Sequence, residues 1–337
     1  ILCLFKHGEW IMSNFIQPIF VGGTGRSGTT ILSKLLNQVE SIYTIPQEIR
    51  FITDPDGILS LKHALVSDWS KFNSDFAMER FLKLMDHLKT RYKGRYPNHG
   101  LAELVSDEFY ETWVREFSHH FIGHTLKSGW AARVNLMNKG LLKTFGKNAL
   151  TESFLDDSYY CHPQSLDKFN EVSGKFIQSF FNQVAKLNNA EIIVEHTPSN
   201  LIHFDFILNA VQHSKLIHIH RDPRDVICSY KTKEWSSTEI QMNVHWIKDV
   251  LSQWQLKKKS ISTERYIEIS FERMIHSFES EIDKVCNFLG IQYSEKFLEI
   301  ELKQHNIGRW KHDLDENEKS ILNAELKNTL PDYEYTN

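Results

Sequence analysis

Cysteine is scarce in this chain and nowhere clustered. Four cysteines in 337 residues, Cys3, Cys161, Cys228 and Cys286, lie far apart with no C-x-x-C pair. That argues against a disulfide framework or a thiolate zinc site and favours a reducing compartment. Long apolar runs are also missing: none approaches the roughly 18 residues of a membrane-spanning helix. The opening ILCLFKHGEWIMSNF is interrupted by Lys6, His7 and Glu9, so it does not read as a signal-peptide core. There is no excess of positive charge, since the formal net charge is -4. A general nucleic-acid or anionic-membrane binder needs a basic surface, so neither partner is expected and any anion site must be local. What is present, 41% hydrophobic and 24% charged residues, suits a cytoplasmic globular protein with a sizeable core. Met12 with the following SNFIQPIFV reads as a natural start, which sets residues 1–11 aside as an upstream or cloning remnant.

The first strand is expected at about Pro18–Gly22, an unbroken apolar run of the kind buried on both faces of a parallel sheet. Behind it Thr29–Gln38 spaces Ile31, Leu32, Leu35 and Leu36 as a helix does. Three further apolar runs, Glu191–Val194, Leu216–His220 and Tyr266–Ile269, each precede a helix-compatible stretch. Alternating strands and helices predict an α/β fold with a central parallel sheet. Between Phe51 and Ala190 the period becomes helical, with a loop at Arg91–Gly100. The expected organisation is a single domain over 12–337. Residues 12–50 and 190–337 form its α/β core, and 51–189 form a long helical insertion.

The segment GGTGRSGTT, Gly22–Thr30, carries the chemistry. Glycines let the backbone turn tightly around an anion, and the helix behind offers unpaired N–H groups and the positive end of its dipole. Gly25 and Gly28 belong to that cradle. Arg26 can fork onto phosphate or sulfonate oxygens, and Ser27, Thr29 and Thr30 can donate hydroxyls to the same group. Tight helix–strand packing is the alternative use of such glycines. Gly23 to Gly28 has the spacing of the kinase and nucleotide-hydrolase loop, but Thr29 stands where that loop has lysine. A second segment, LIHIHRDPRDVICSY (Leu216–Tyr230), places Arg221 at a strand end and Ser229 eight residues later. Asp222-Pro223 can start a helix there. Without the loop, Arg221, Asp222, Arg224 and Asp225 would read as a solvated charge cluster.

Together the R-S-G-T-T loop and the RDPRDVICS segment resemble the sulfotransferases that use 3′-phosphoadenosine 5′-phosphosulfate, particularly the tyrosylprotein, carbohydrate and bacterial types. EIIVEHTPSN (Glu191–Asn200) is similar to a family motif with E-K-T-P, and NFLGI with NIGRWKHDL (Asn306–Leu314) resembles its C-terminal segments. The resemblance implies a three-layer fold of P-loop type, the insertion helices forming a lid over the donor. It further implies sulfuryl transfer from that co-substrate, without metal, to a hydroxyl or amine of a small-molecule, carbohydrate or peptide acceptor. Competing readings are a nucleotide or small-molecule kinase and a non-catalytic nucleotide-binding protein.

The resemblance also distributes roles. Arg26 and the loop would hold the 5′-phosphosulfate, Arg221 and Ser229 the 3′-phosphate, and Arg309 would add a cation there. Glu48, in IPQEIR, would be the general base, with Arg50 steering the acceptor or fixing Glu48; otherwise they are a solvated carboxylate and a surface ion pair. His196 replaces the family lysine beside the leaving group, and a capping or packing histidine is the other reading. Trp310 reads as stacking or core, and Phe271 replaces a family tyrosine, which puts its cofactor contact in doubt. Within the insertion Arg91, Tyr92, Arg95, Tyr96, Trp113, Trp130 and Arg133 are candidates for acceptor contacts. His120 and His124, one turn apart if helical, lack an evident third metal ligand. The acceptor's identity and the oligomeric state stay open.

Overall fold

The computed structural model describes residues 16–90, 100–128, 156–302 and 307–335. The expectations for residues 1–11, Arg91, Tyr92, Arg95, Tyr96, Trp130 and Arg133 lie outside them. Seven strands follow in chain order among the described residues: β1 (Gln17–Gly22), β2 (Ile42–Thr44), β3 (Ile122–Ser128), β4 (Asp156–Cys161), β5 (Ile192–Glu195), β6 (Lys215–His220) and β7 (Tyr266–Ser270). The chain divides into two compact units, Ile1–Ile49 with Ile177–Asn337, and Arg50–Phe176. No helix among the described residues is long and apolar enough to cross a membrane.

The first unit is built on a five-stranded parallel sheet of order β2-β5-β1-β6-β7. Central β1 sets Ile19 opposite Val194 on one side and Lys215 on the other. Its apolar run is buried because both sheet faces are covered. On one face Leu32, Leu35 and Leu36 of the helix Thr29–Leu36 join Ile19, Val21, Ile217 and Ile219 in one core. On the other, Phe20 meets Phe181 and Phe204 at ring-centroid distances of 5.8 and 6.4 Å. This is the expected three-layer arrangement. The three residues of β2 give no periodicity to read, and their place is fixed by pairing, Ile42 with Ile192. The chain leaves β1 toward β2 and leaves β6 toward β7, in opposite directions. Adjacent strands that part in this way open a crevice at their carboxyl ends, where α/β sheets bind ligands.

The second unit packs the helices Lys71–Lys89 and Asp107–His119 around an aromatic core. Trp113 stacks on Phe176 at 3.9 Å with the rings 5° apart, and its indole N–H donates to the Phe176 carbonyl. Trp113 is therefore fully buried core. The helical expectation for 51–189 omits an antiparallel ribbon, in which β3 pairs with β4 and Thr125 lies opposite Tyr159. Strand pairing between segments so far apart leaves no local signal. Asp75 ties the ribbon to its helix, accepting the Ser158 hydroxyl and the Tyr159 amide, each at 2.6 Å. His120 ends a helix and His124 lies in β3, so the two share no helix face.

Candidate functional site

The phosphate loop leaves β1 at Gly22 and turns through three residues with left-handed backbone, Gly25 (φ 73°), Arg26 (φ 55°) and Gly28 (φ 111°). Glycine adopts that region freely; arginine does so against its preference, and such residues concentrate at functional sites. The turn aims Arg26 across the crevice, where its Nε donates to Ser229 Oγ at 3.0 Å. Ser27 is fully buried beneath the loop, and its hydroxyl has no partner in the protein. Thr29 is buried and Thr30 exposed at the helix start. Gly28 is needed for space as well as backbone, because a Cβ there would stand 2.7 Å from the Phe271 ring.

The turn after β6 forms one wall. Asp222 caps the helix Pro223–Lys231 by accepting the Arg224 amide at 2.9 Å, and the same carboxylate holds the Arg224 guanidinium. Arg221 donates to the Arg26 carbonyl at 3.2 Å, approaches Asp225 at 3.5 Å and lies 5.1 Å from the Phe271 ring centroid. Arg26, Arg221 and Ser229 are thereby brought together. Asp225 is fully buried, and burial raises its pKa against the two amides it accepts, Gly308 at 2.7 Å and Trp310 at 3.0 Å. Asp225 thus carries the backbone of Arg309 to this helix. The Arg309 side chain pairs instead with Asp313 of its own segment, Nε to Oδ2 at 2.7 Å. Trp310 is core, with the Arg224 guanidinium 4.2 Å from its ring centroid.

The turn after β5 forms the other wall, joined to the loop by the Gly23 amide, which donates to the Pro198 carbonyl at 3.1 Å. Glu195 is fully buried at the strand end. It accepts the Thr197 hydroxyl and amide, the Asn200 side chain and, at 3.3 Å, the Ile49 amide. Burial pushes its pKa up to about 7 against those hydrogen bonds. His196 is also buried, its Nδ1 has no partner, and desolvation lowers its pKa to about 4, which keeps the imidazole neutral at neutral pH. Glu48 is exposed and immediately precedes the amide that Glu195 holds. Arg50 adopts φ 62° and pairs with Asp54 at 2.7 Å.

Three groups that shape these walls escape sequence reasoning. Glu195 gives a faint signal as a charge at the end of a buried strand. Tyr230, whose hydroxyl donates to the Thr24 carbonyl, follows Ser229 directly. Asp225 reads as helix-start charge until its distant amide partners are seen. Among the described residues no group of three or more His, Cys, Asp or Glu side chains could hold a metal ion. Chemically the arrangement offers one guanidinium with hydroxyls on the phosphate loop and a second guanidinium on the turn after β6, with a neutral imidazole and a carboxylate on the turn after β5. Such a set suits an extended polyanion.

Residues 18–295 match the model of the Sulfotransferase family. A stretch of 190 residues is 24% identical to the luciferin sulfotransferase of Photinus pyralis, covering 50% of this chain and 50% of that protein. The chain therefore spans about half the length of the curated relative it matches. The sulfotransferase domain of the Synechococcus PCC 7002 olefin synthase superposes with a TM-score of 0.55 at 13% identity, over 98% of this chain and 100% of that one. For the sulfotransferase domain from the curacin biosynthetic pathway the TM-score is 0.51 at 15% identity, over 96% and 99%. At such identities both structures speak for the fold alone.

Proposed function

We propose that this chain, which belongs to the sulfotransferase family, takes 3′-phosphoadenosine 5′-phosphosulfate as donor and sulfates a hydroxyl or amine of a small-molecule, carbohydrate or peptide acceptor. The observation that carries this reading is the convergence of Arg26, Arg221 and Ser229 above the buried, unpartnered hydroxyl of Ser27. The side-chain chemistry fits the donor, since cations and hydroxyls match phosphate and sulfonate oxygens while Thr29 replaces the lysine of a kinase loop. The donor supplies an activated sulfuryl group and a stable phosphate leaving group.

The family resemblance, together with these positions, supports one role for each residue. Arg26, the Ser27 hydroxyl and the amides of Gly25–Thr30 hold the 5′-phosphosulfate, while Arg221 and Ser229 select the 3′-phosphate. Arg309 joins them once it exchanges Asp313 for phosphate. Glu48 takes the acceptor's proton as the new S–O bond forms and the bond to the phosphate oxygen breaks. His196, neutral, donates a hydrogen bond to that leaving oxygen. Arg50 steers the acceptor, and acceptor recognition lies in 51–189. We place the protein in the cytoplasm, a reading supported by the free, buried thiols of Cys161, Cys228 and Cys286.

A thermal-shift titration with adenosine 3′,5′-bisphosphate, beside ATP with magnesium, tests the donor assignment. At a hundred times its Kd a ligand stabilises by about 2.7 kcal/mol, a shift of several degrees. The bisphosphate should stabilise the wild type, and at the same concentration its effect should fall to about half or less in Arg221→Ala. Stabilisation by ATP with magnesium alone would replace the sulfotransferase reading with a kinase.

A further inference from the structure

Glu272 is the second residue of the helix Phe271–His276, which follows β7 directly. Its Oε1 accepts the Asp222 amide at 3.0 Å, and its Oε2 accepts the hydroxyls of Ser270 at 3.1 Å and Tyr335 at 2.7 Å. The Tyr335 oxygen also lies 3.0 Å from Nδ1 of His220. A tyrosine hydroxyl has one proton, and a carboxylate can only accept it, so His220 must be the donor through Nδ1–H. A directed chain results: His220 donates to Tyr335, Tyr335 donates to Glu272, and Glu272 holds the amide of the residue that follows Arg221.

The segment Leu330–Tyr335 is secured around this chain. Tyr333 is buried with its ring centroid 5.0 Å from that of His220, and Glu334 pairs with Arg273. Tyr335 stays protonated, since burial and then the nearby Glu272 raise its pKa. Without its hydroxyl, Glu272 would lose a donor while facing the like charge of Asp222, and the Asp222 amide would be held less firmly.

We propose that Tyr335 is a positioning residue for the 3′-phosphate anchor: through Glu272 it fixes the Asp222 amide, and so the direction in which Arg221 leaves β6. This rests on the donor reading above. Because coupling between two sites is reciprocal, a ligand held by Arg221 must in turn tighten Leu330–Tyr335.

Calorimetric titration of Tyr335→Phe with adenosine 3′,5′-bisphosphate and with adenosine 5′-phosphate separates the outcomes. Loss of one hydrogen bond to a charged group predicts a roughly tenfold weaker bisphosphate complex, with binding of the monophosphate unchanged. Glu272→Ala should show the same selective loss. In the wild type, hydrogen exchange over 330–335 should slow with bisphosphate and not with monophosphate. Equal losses for both nucleotides, or an unchanged preference in both variants with no exchange difference, would overturn the positioning role alone. A wild type that does not prefer the bisphosphate would overturn the donor reading and this inference with it.

Discussion

After β6 four charged side chains, Arg221, Asp222, Arg224 and Asp225, are buried together and neutralise one another through ion pairs and caps. After β5 the ionisable groups are fewer and desolvation governs them: Glu195 is pushed toward neutrality and His196 is held neutral. The two turns flank the same loop, yet one keeps its charge and the other suppresses it. Fixed charge suits an anchor that grips an anion in every state. A neutral, hydrogen-bonded turn suits the place where charge moves during reaction, because preorganised donors there act on developing charge. The comparison divides the proposed labour: β6 holds the donor, and β5 with the Glu48 segment handles transfer.

Breaking the transfer side should give the largest effect. Glu48→Gln is expected to lower kcat by about 10²–10⁴-fold, the usual contribution of a general base, with bisphosphate affinity unchanged by calorimetry. A mutant that turns over like the wild type would remove Glu48 from the mechanism. On the anchoring side, Arg221→Ala should weaken the bisphosphate by roughly 10–100-fold, as expected for a charge-assisted contact. If its kcat at saturating donor fell as far as that of Glu48→Gln, the division between the turns would fail.

A third test uses pH. Glu195 has its pKa raised from 4.5 to about 7 in the folded chain, so between those values the folded state holds a proton that the unfolded state has released. Its contribution to stability is present below about pH 4.5, declines as pH rises to 7 and is flat above. Over that window it amounts to about 3 kcal/mol. Chemical denaturation of wild type and Glu195→Gln at several pH values should therefore give a difference that changes between pH 4.5 and 7. A constant difference would mean that Glu195 is ionised throughout.

Legibility in the sequence follows the same line. The loop, the helix behind it, the four longer strands of the sheet and the Arg221–Ser229 spacing depend on neighbours in sequence, and the structure has them where the pattern suggests. The Arg309 side chain, expected at the anion, is paired with Asp313, and Glu195 reaches the Ile49 amide. The β3–β4 ribbon joins segments far apart. The Asp313 partner of Arg309 lies only four residues on, whereas no local pattern encodes the Ile49 amide or the β3–β4 pairing, because each is set by which element packs alongside.

The smallest expected effect probes His196, where the family motif has lysine. A lysine would put a fixed charge on the β5 turn; a histidine with a pKa near 4 leaves that position neutral above about pH 5. The contribution of a neutral donor to a leaving oxygen is modest, so His196→Ala should cost roughly tenfold in kcat. The pH dependence of kcat/KM reports groups of the free enzyme. Between pH 6 and 9 wild type and His196→Ala should therefore have curves of the same shape, displaced by a constant factor. If the wild-type curve instead falls with a limb near pH 6–7 that His196→Ala abolishes, the imidazole acts as a cation, and the electrostatic contrast between the two turns disappears.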